Sequence, residues 1–231
     1  KAVSMISMHR AMLALSLVGV AGTSQAVDFT YSGFGNITAG KVFSASGLEV
    51  GFPDNNKWKC PCYIADYSHG SVYESRWSLK PESRFGLQGT ATFTDNLSFT
   101  GQLMARHAAG DAELGVELAF LSYNLSPKWT VQAGRKRLPL FFYSDFQDVA
   151  YAYNWTRVPP DVYGWPVVNY NGVNLTFRDD IGGWAVKSSA YFGKENAKEV
   201  AIAKLGDPSR VDVQWDNMYG VDLELNRDWF T

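Results

Sequence analysis

The sequence predicts an all-β fold, a transmembrane antiparallel up-and-down β-barrel, on three observations. Apolar and polar residues alternate with period two through most of the chain after residue 26. The alternating segments run near ten residues, the length a tilted strand needs to cross a bilayer, whereas globular strands run about five or six. Long and short connections follow one another in turn, the pattern of barrels whose loops are short at one rim and long at the other.

The chain begins with an export signal. Lys1, His9 and Arg10 supply a polar, positive flank, 11–22 (AMLALSLVGVAG) is a short apolar run, and Ser24-Gln25-Ala26 is a small-x-small cleavage site. The run falls short of the roughly 20 apolar residues of a spanning helix. Residues 1–26 are therefore set apart from the fold, which occupies 27–231. No later segment is a helical membrane candidate, so a membrane location requires a closed barrel, which leaves no backbone polar group unpaired in hydrocarbon.

The first strand, about 28–43, is mixed, with Gly33, Gly35 and Gly40 weakening it. Over 84–93, Phe85, Leu87, Ala91 and Phe93 oppose Arg84, Gln88, Thr90 and Thr92. A turn at Thr94-Asp95-Asn96 follows, of residue types that favour turns. Over 97–106, Leu97, Phe99, Leu103 and Ala105 oppose Ser98, Thr100, Gln102 and Arg106. Further strands are expected near 114–124, 129–136, 172–178, 184–192 and 218–226; Phe120 and Leu121 break the alternation of the first of these. Short turns are expected at about 94–96, 125–128, 179–183 and 226–228, and long links at 44–82, 107–112, 137–166 and 193–217. A soluble β-sandwich also alternates. Charge-free apolar faces opposed by Arg, Lys, Glu, Gln and Thr favour a lipid-facing wall around a wet lumen.

Three stretches carry a family resemblance: SRFGLQGTATFTDNLSFTGQL, WTVQAGRKRLPLFFYSDFQDVAYAYNW and NYNGVNLTFRDD. Together they resemble the Gram-negative trimeric general porins, sixteen-stranded outer-membrane barrels. The pattern G-R-x-R-x-P leading into a long aromatic and acidic loop is the most specific of them. The resemblance implies a water-filled diffusion channel for small hydrophilic solutes and ions, a homotrimer, outer-membrane lipid around it and no cofactor. It also implies about sixteen strands against the eight counted. With Lys1 in place of a starting methionine and Thr231 in place of a closing aromatic, the expectation is a piece of a longer chain, its N-terminal half. In the family the third extracellular loop folds into the lumen and narrows it; here that loop is 137–166, and 44–82 is the first.

The constriction residues expected on that loop are Asp145, Asp148, Arg157 and Asp161. Lumen-wall charges are expected at Arg84, Arg106, Glu117, Arg135, Lys136, Arg137, Arg178 and Lys187, with alternation pointing Lys136 one way and Arg135 and Arg137 the other. Opposed acids and bases there would set a transverse field across the pore. Cys60-Pro61-Cys62 lies in the first loop; an oxidising compartment allows a disulfide staple, though the ring is tight, and metal capture lacks a surrounding ligand cluster.

Composition excludes several classes. A net charge of −2 gives no basic footprint for nucleic acid. The run 35–41 fits the first seven positions of a phosphate-binding loop, but Val42 stands where Ser or Thr would hold magnesium. No nucleophile elbow and no H-E-x-x-H helix is present, so no enzyme, metal or cofactor is expected. Two competing readings remain open: a small complete structural or adhesive barrel, and a soluble exported carbohydrate-binding β-domain.

Overall fold

The computed structural model describes residues 27–44, 62–108, 111–165, 167–204 and 207–228. Eight strands form one antiparallel sheet in which each pairs with its neighbours along the chain: β1 (Asp28–Asn36), β4 (Arg84–Thr94), β5 (Leu97–Ala108), β6 (Asp111–Asn124), β7 (Trp129–Arg137), β8 (Asn169–Ile181), β9 (Trp184–Lys204) and β10 (Asp207–Asn226). A separate hairpin, β2 (Tyr63–Asp66) and β3 (Ser71–Tyr73), interrupts the link between β1 and β4. No helix among the described residues is long and apolar enough to cross a membrane.

Register shows the two faces most directly. Reading partner to partner across all eight strands, one row runs Phe29, Ala91, Phe99, Leu121, Ala133, Val173, Phe192, Tyr219. One residue away, the next row runs Asp28, Thr92, Ser98, Ser122, Gln132, Asn174, Tyr191, Gly220. Because side chains alternate along each strand, the first row lies wholly on one face and the second on the other. The apolar face has no protein over it: Phe29, Leu121, Val173 and Tyr219 are 70%, 47%, 49% and 79% exposed. At its short-turn end it carries Phe93, Tyr123, Trp129, Phe177 and Trp184, with the Trp129 and Phe177 rings 4.8 Å apart.

On the polar face, cross-strand pairs are hydrogen-bonded, Thr90 to Thr100 at 3.0 Å and Gln102 to Gln88 at 3.0 Å. The broken alternation in β6 has a local cause. Gln102 pairs with Leu118 and Leu103 with Val116, so Glu117 is an extra residue, a β-bulge. Before it the outward residues are Leu114 and Val116; after it they are Ala119, Leu121 and Tyr123. The apolar face is kept, and one carboxylate is gained on the polar face.

Several boundaries differ from the sequence reading. β1 stops at Asn36 rather than near 43. Of the expected link at 107–112, the described residues belong to strands, β5 running to Ala108 and β6 beginning at Asp111. That expected at 193–217 is a long hairpin of 21- and 20-residue strands, with register shifts between Val211 and Val213 and between Trp215 and Met218. Among the described residues the second and fourth expected long links are therefore largely strand, and the strict alternation of long and short connections is not kept there. The expected export signal at 1–26 and Cys60, with its expected bond to Cys62, lie outside the described residues, as does part of the first loop.

A small apolar core of Leu138, Val167, Tyr170 and Met218, flanked by Tyr191 and Val213, closes the two stems of the third loop onto the sheet. The Leu138 amide donates to the Val168 carbonyl at 3.0 Å, which ties the stems together. Beneath this core the chains come close at Gly172, where a Cβ would meet the Phe192 carbonyl oxygen at 2.1 Å and the Gly193 Cα at 2.5 Å. Both neighbours are backbone. Gly172→Ala is therefore expected to destabilise the fold by about 1–3 kcal/mol, read as a lowered urea midpoint, since the sheet must spread to admit one methyl group.

Candidate functional site

The 138–168 loop lies against the polar face. Proline at 139, 159 and 160 prevents a long helix, and the loop instead makes short turns: 3-10 segments Ser144–Phe146 and Ala150–Ala152 and one α-helical turn, α1 (Pro160–Tyr163). Tyr143 is the hub of its packing, with the rings of Phe142, Phe146, Tyr153, Trp155 and Tyr163 all within 6.3 Å between centroids.

Asp148 fastens the loop down. Its carboxylate, 3% exposed, accepts short hydrogen bonds from Arg84 of β4 and Arg137 of β7, and lies 4.0 Å from Arg106 of β5. Arg84 and Arg106 are direct cross-strand partners, a placement that repels unless acids intervene. Three acids from three elements intervene. Asp148 comes from the loop, and Asp66 of β2 accepts from Arg84 at 3.1 Å. Glu117, the bulge residue of β6, pairs with Arg106 and lies 3.1 Å from Arg137. The bulge thus supplies a charge where the register had no room for one.

Arg157 forms the second anchor. It donates to the Asp148 carbonyl at 3.0 Å, to the Glu82 carbonyl at 2.7 Å and to the Asn36 side chain, joining the loop to β1. The first loop closes over the outside of the cluster: Tyr67 donates to Asp161 at 3.4 Å, Ser68 to the Trp165 carbonyl at 2.8 Å, and Ser71 to the His107 carbonyl at 3.0 Å. His69 meets Asp66 at 2.9 Å.

Electrostatics in the loops follow from this packing. Burial pushes the Asp148 carboxyl up, but Arg137, Arg84 and Arg106 outweigh it and hold it well below the usual carboxylate range. Asp66 is likewise raised by burial and lowered further by His69 and Arg84. His69 is pushed down by burial and by Arg106, against the pull of Asp66. All three shifts have one sign for stability. A depressed folded-state value means the contribution is full above the unfolded value and fades as pH falls through the folded one. Acidification from pH 7 is therefore expected to loosen the clasp in two stages. His69 acts below its ordinary value of 6.5, and Asp66 and Asp148 act below 3.8. Thermal midpoints measured across pH 2–8 check this, and a flat profile would contradict it.

The structure brings some of the expected residues together and separates others. Arg84, Arg106, Glu117, Arg137, Asp148 and Arg157 come together in the buried clasp. Lys136, Asp145, Arg178 and Lys187 line an adjoining open cavity of about 240 Å³. Asp161 is drawn off to the first loop. Arg135 turns away, donating to the Val116 carbonyl and to Glu195. The expected split between Lys136 and both arginines is not kept: Arg137, the last residue of β7, pairs with Asp148 and lines that cavity beside Lys136. Sequence reasoning missed Asp66, Asp222 and Glu224 as site residues. Asp222 and Glu224 were legible on the polar face of 218–226, whereas Asp66 sits in a long link with no periodicity to place it. Among the described residues no three His, Cys, Asp or Glu side chains are grouped to hold a metal ion. No family model, curated protein or solved structure matches the chain.

Proposed function

We propose that the sheet is part of the wall of an outer-membrane barrel that forms a water-filled channel, with the 138–168 loop as its constriction. One observation carries the reading. An uninterrupted apolar row is exposed across eight strands, while the neighbouring row is polar and bears the charged loop. In water such a face is a large apolar patch of the kind monomeric soluble proteins rarely show. In a bilayer it is the favourable surface, and the outward aromatics at the short-turn end suit the interfacial girdle.

β1 and β10 are the edges of the sheet. An open edge cannot face hydrocarbon, since its amides and carbonyls would lack partners. The reading therefore needs either closure of these edges on each other or further strands between them. Homotrimer formation and an extracellular position for the two long loops belong to the same proposal. The channel has no catalytic step; solutes pass by diffusion, sorted by size and by the charges at the loop. Planar bilayers holding the purified protein are expected to show stepwise ohmic conductance. Folded, membrane-inserted protein that passes no ions would overturn the reading.

A further inference from the structure

Beside the clasp, the loop and the edge strand β10, through Asp222, Leu223, Glu224 and Leu225, leave a second open cavity of about 590 Å³, sharing Pro139, Asp145, Lys187 and Asp222 with the first. The two are halves of one pit, and their linings differ. In the first half, Lys136 and Arg178 of the wall stand across from Asp145 of the loop. Among the described residues none of these three forms an ion pair; Lys136 donates to Gln132 and lies over the Phe120 ring at 5.4 Å, and the Arg178 and Asp145 side chains make no hydrogen bond. Of the other charges, Lys187 pairs with Glu224 at 3.3 Å, while Asp222 accepts from the Ser189 hydroxyl and adds a second acid beside Asp145. In the second half, the loop offers Leu140, Phe142 and Phe146 as an apolar wall. Phe142 is 68% and Leu140 43% exposed, Phe142 resting edge-on against Tyr143.

We infer that the pit binds free α-amino acids with large apolar side chains, phenylalanine being the representative. Resting on the channel reading, this names the class of solute that lingers in it. The ammonium goes to Asp145, the carboxylate to Arg178 and Lys136, and the side chain to Leu140, Phe142 and Phe146. A zwitterion is favoured because an acid and bases face each other unneutralised; a solute with only one charge leaves one side unanswered. The apolar wall sets the side chain, because burying a ring there removes both surfaces from water.

The test separates site from channel by using two readouts on the same protein. Calorimetry of the detergent-solubilised full chain measures binding of L-phenylalanine, glycine, phenethylamine and 3-phenylpropionate. Planar bilayers measure conductance alone and then its interruption by the same solutes. Phenylalanine is expected to bind about tenfold or more tighter than glycine and than either singly charged analogue, each tenfold being one lost interaction of about 1.4 kcal/mol. Asp145→Asn is expected to remove most of the advantage over 3-phenylpropionate, and Phe142→Ser most of that over glycine. Equal affinities across the four solutes, or variants that change none of the ratios, overturn the site. Ion current without phenylalanine binding overturns the site and keeps the channel; phenylalanine binding without ion current does the reverse.

Discussion

Asp148→Asn is expected to destabilise the protein by about 3–5 kcal/mol and to free the third loop from the sheet. The change keeps size but removes the one charge shared by Arg84, Arg106 and Arg137, and it turns one of the two accepting oxygens into a donor that faces a guanidinium. Three guanidiniums, each 7% exposed or less, would then share Glu117 and Asp66 alone. Breaking a buried charge pair costs more than the pair is worth intact, because the remaining ion stays desolvated. Guanidinium unfolding at neutral pH and limited proteolysis within 138–168 are the measurements. Asp145→Asn is the control: its carboxylate is exposed and unpaired, so a change within about 0.5 kcal/mol is expected. Equal effects from the two would mean that the clasp does not hold the loop.

The second large effect concerns the other face. Leu121 sits within the apolar row, paired with Phe99 on one side and Ala133 on the other. Leu121→Arg is expected to cost about 2 kcal/mol when the protein folds into lipid vesicles, short of the full midplane penalty for arginine because Leu121 lies one outward position from Tyr123 of the girdle. Ser122→Arg, one residue on and facing the opposite way, is expected to cost less than about 1 kcal/mol. A sheet standing in water gives the opposite order, since an exposed leucine replaced by arginine loses nothing by burial. The sign of the difference, read from urea titrations of vesicle-folded protein, decides between the two settings.

How far the sequence revealed these features depended on whether two faces of a strand meet different surroundings. In β4 and β5 they do, and Phe85, Leu87, Phe99 and Leu103 were readable against Arg84, Gln88, Gln102 and Arg106 without a structure. In β6 the signal reversed at Glu117, and a bulge is silent in a pattern that assumes strict alternation. The far parts of β9 and β10 were read as a loop because their residues do not alternate. Two register shifts, near Asp212 and Asp216, change the phase there, and Asn217 takes a positive φ of 54°.

The site divides the same way. Charges within regular strands were easier to read: alternation put Arg84 and Arg106 on the polar face, where they meet the loop, and Arg178 and Lys187 line the adjoining cavity, whereas Arg137 at the end of β7 departs from the pattern. Charges borne on loops were found only as a group. Asp145, Asp148 and Asp161 looked equivalent in sequence, yet one fills a cavity wall, one is the centre of a buried cluster and one tethers the neighbouring loop. Long-range contacts separate them, such as Asp148 to Arg84 across 64 residues, and no local pattern encodes those.

The central claim is that the apolar row faces lipid. Single cysteines carrying a fluorophore at Phe99, Leu121 and Val173, and at Thr100, Ser122 and Asn174, would be compared in vesicles containing a quencher confined to the acyl chains. The account predicts strong quenching at the first three positions and weak quenching at the second three. Equal quenching across both sets would contradict it.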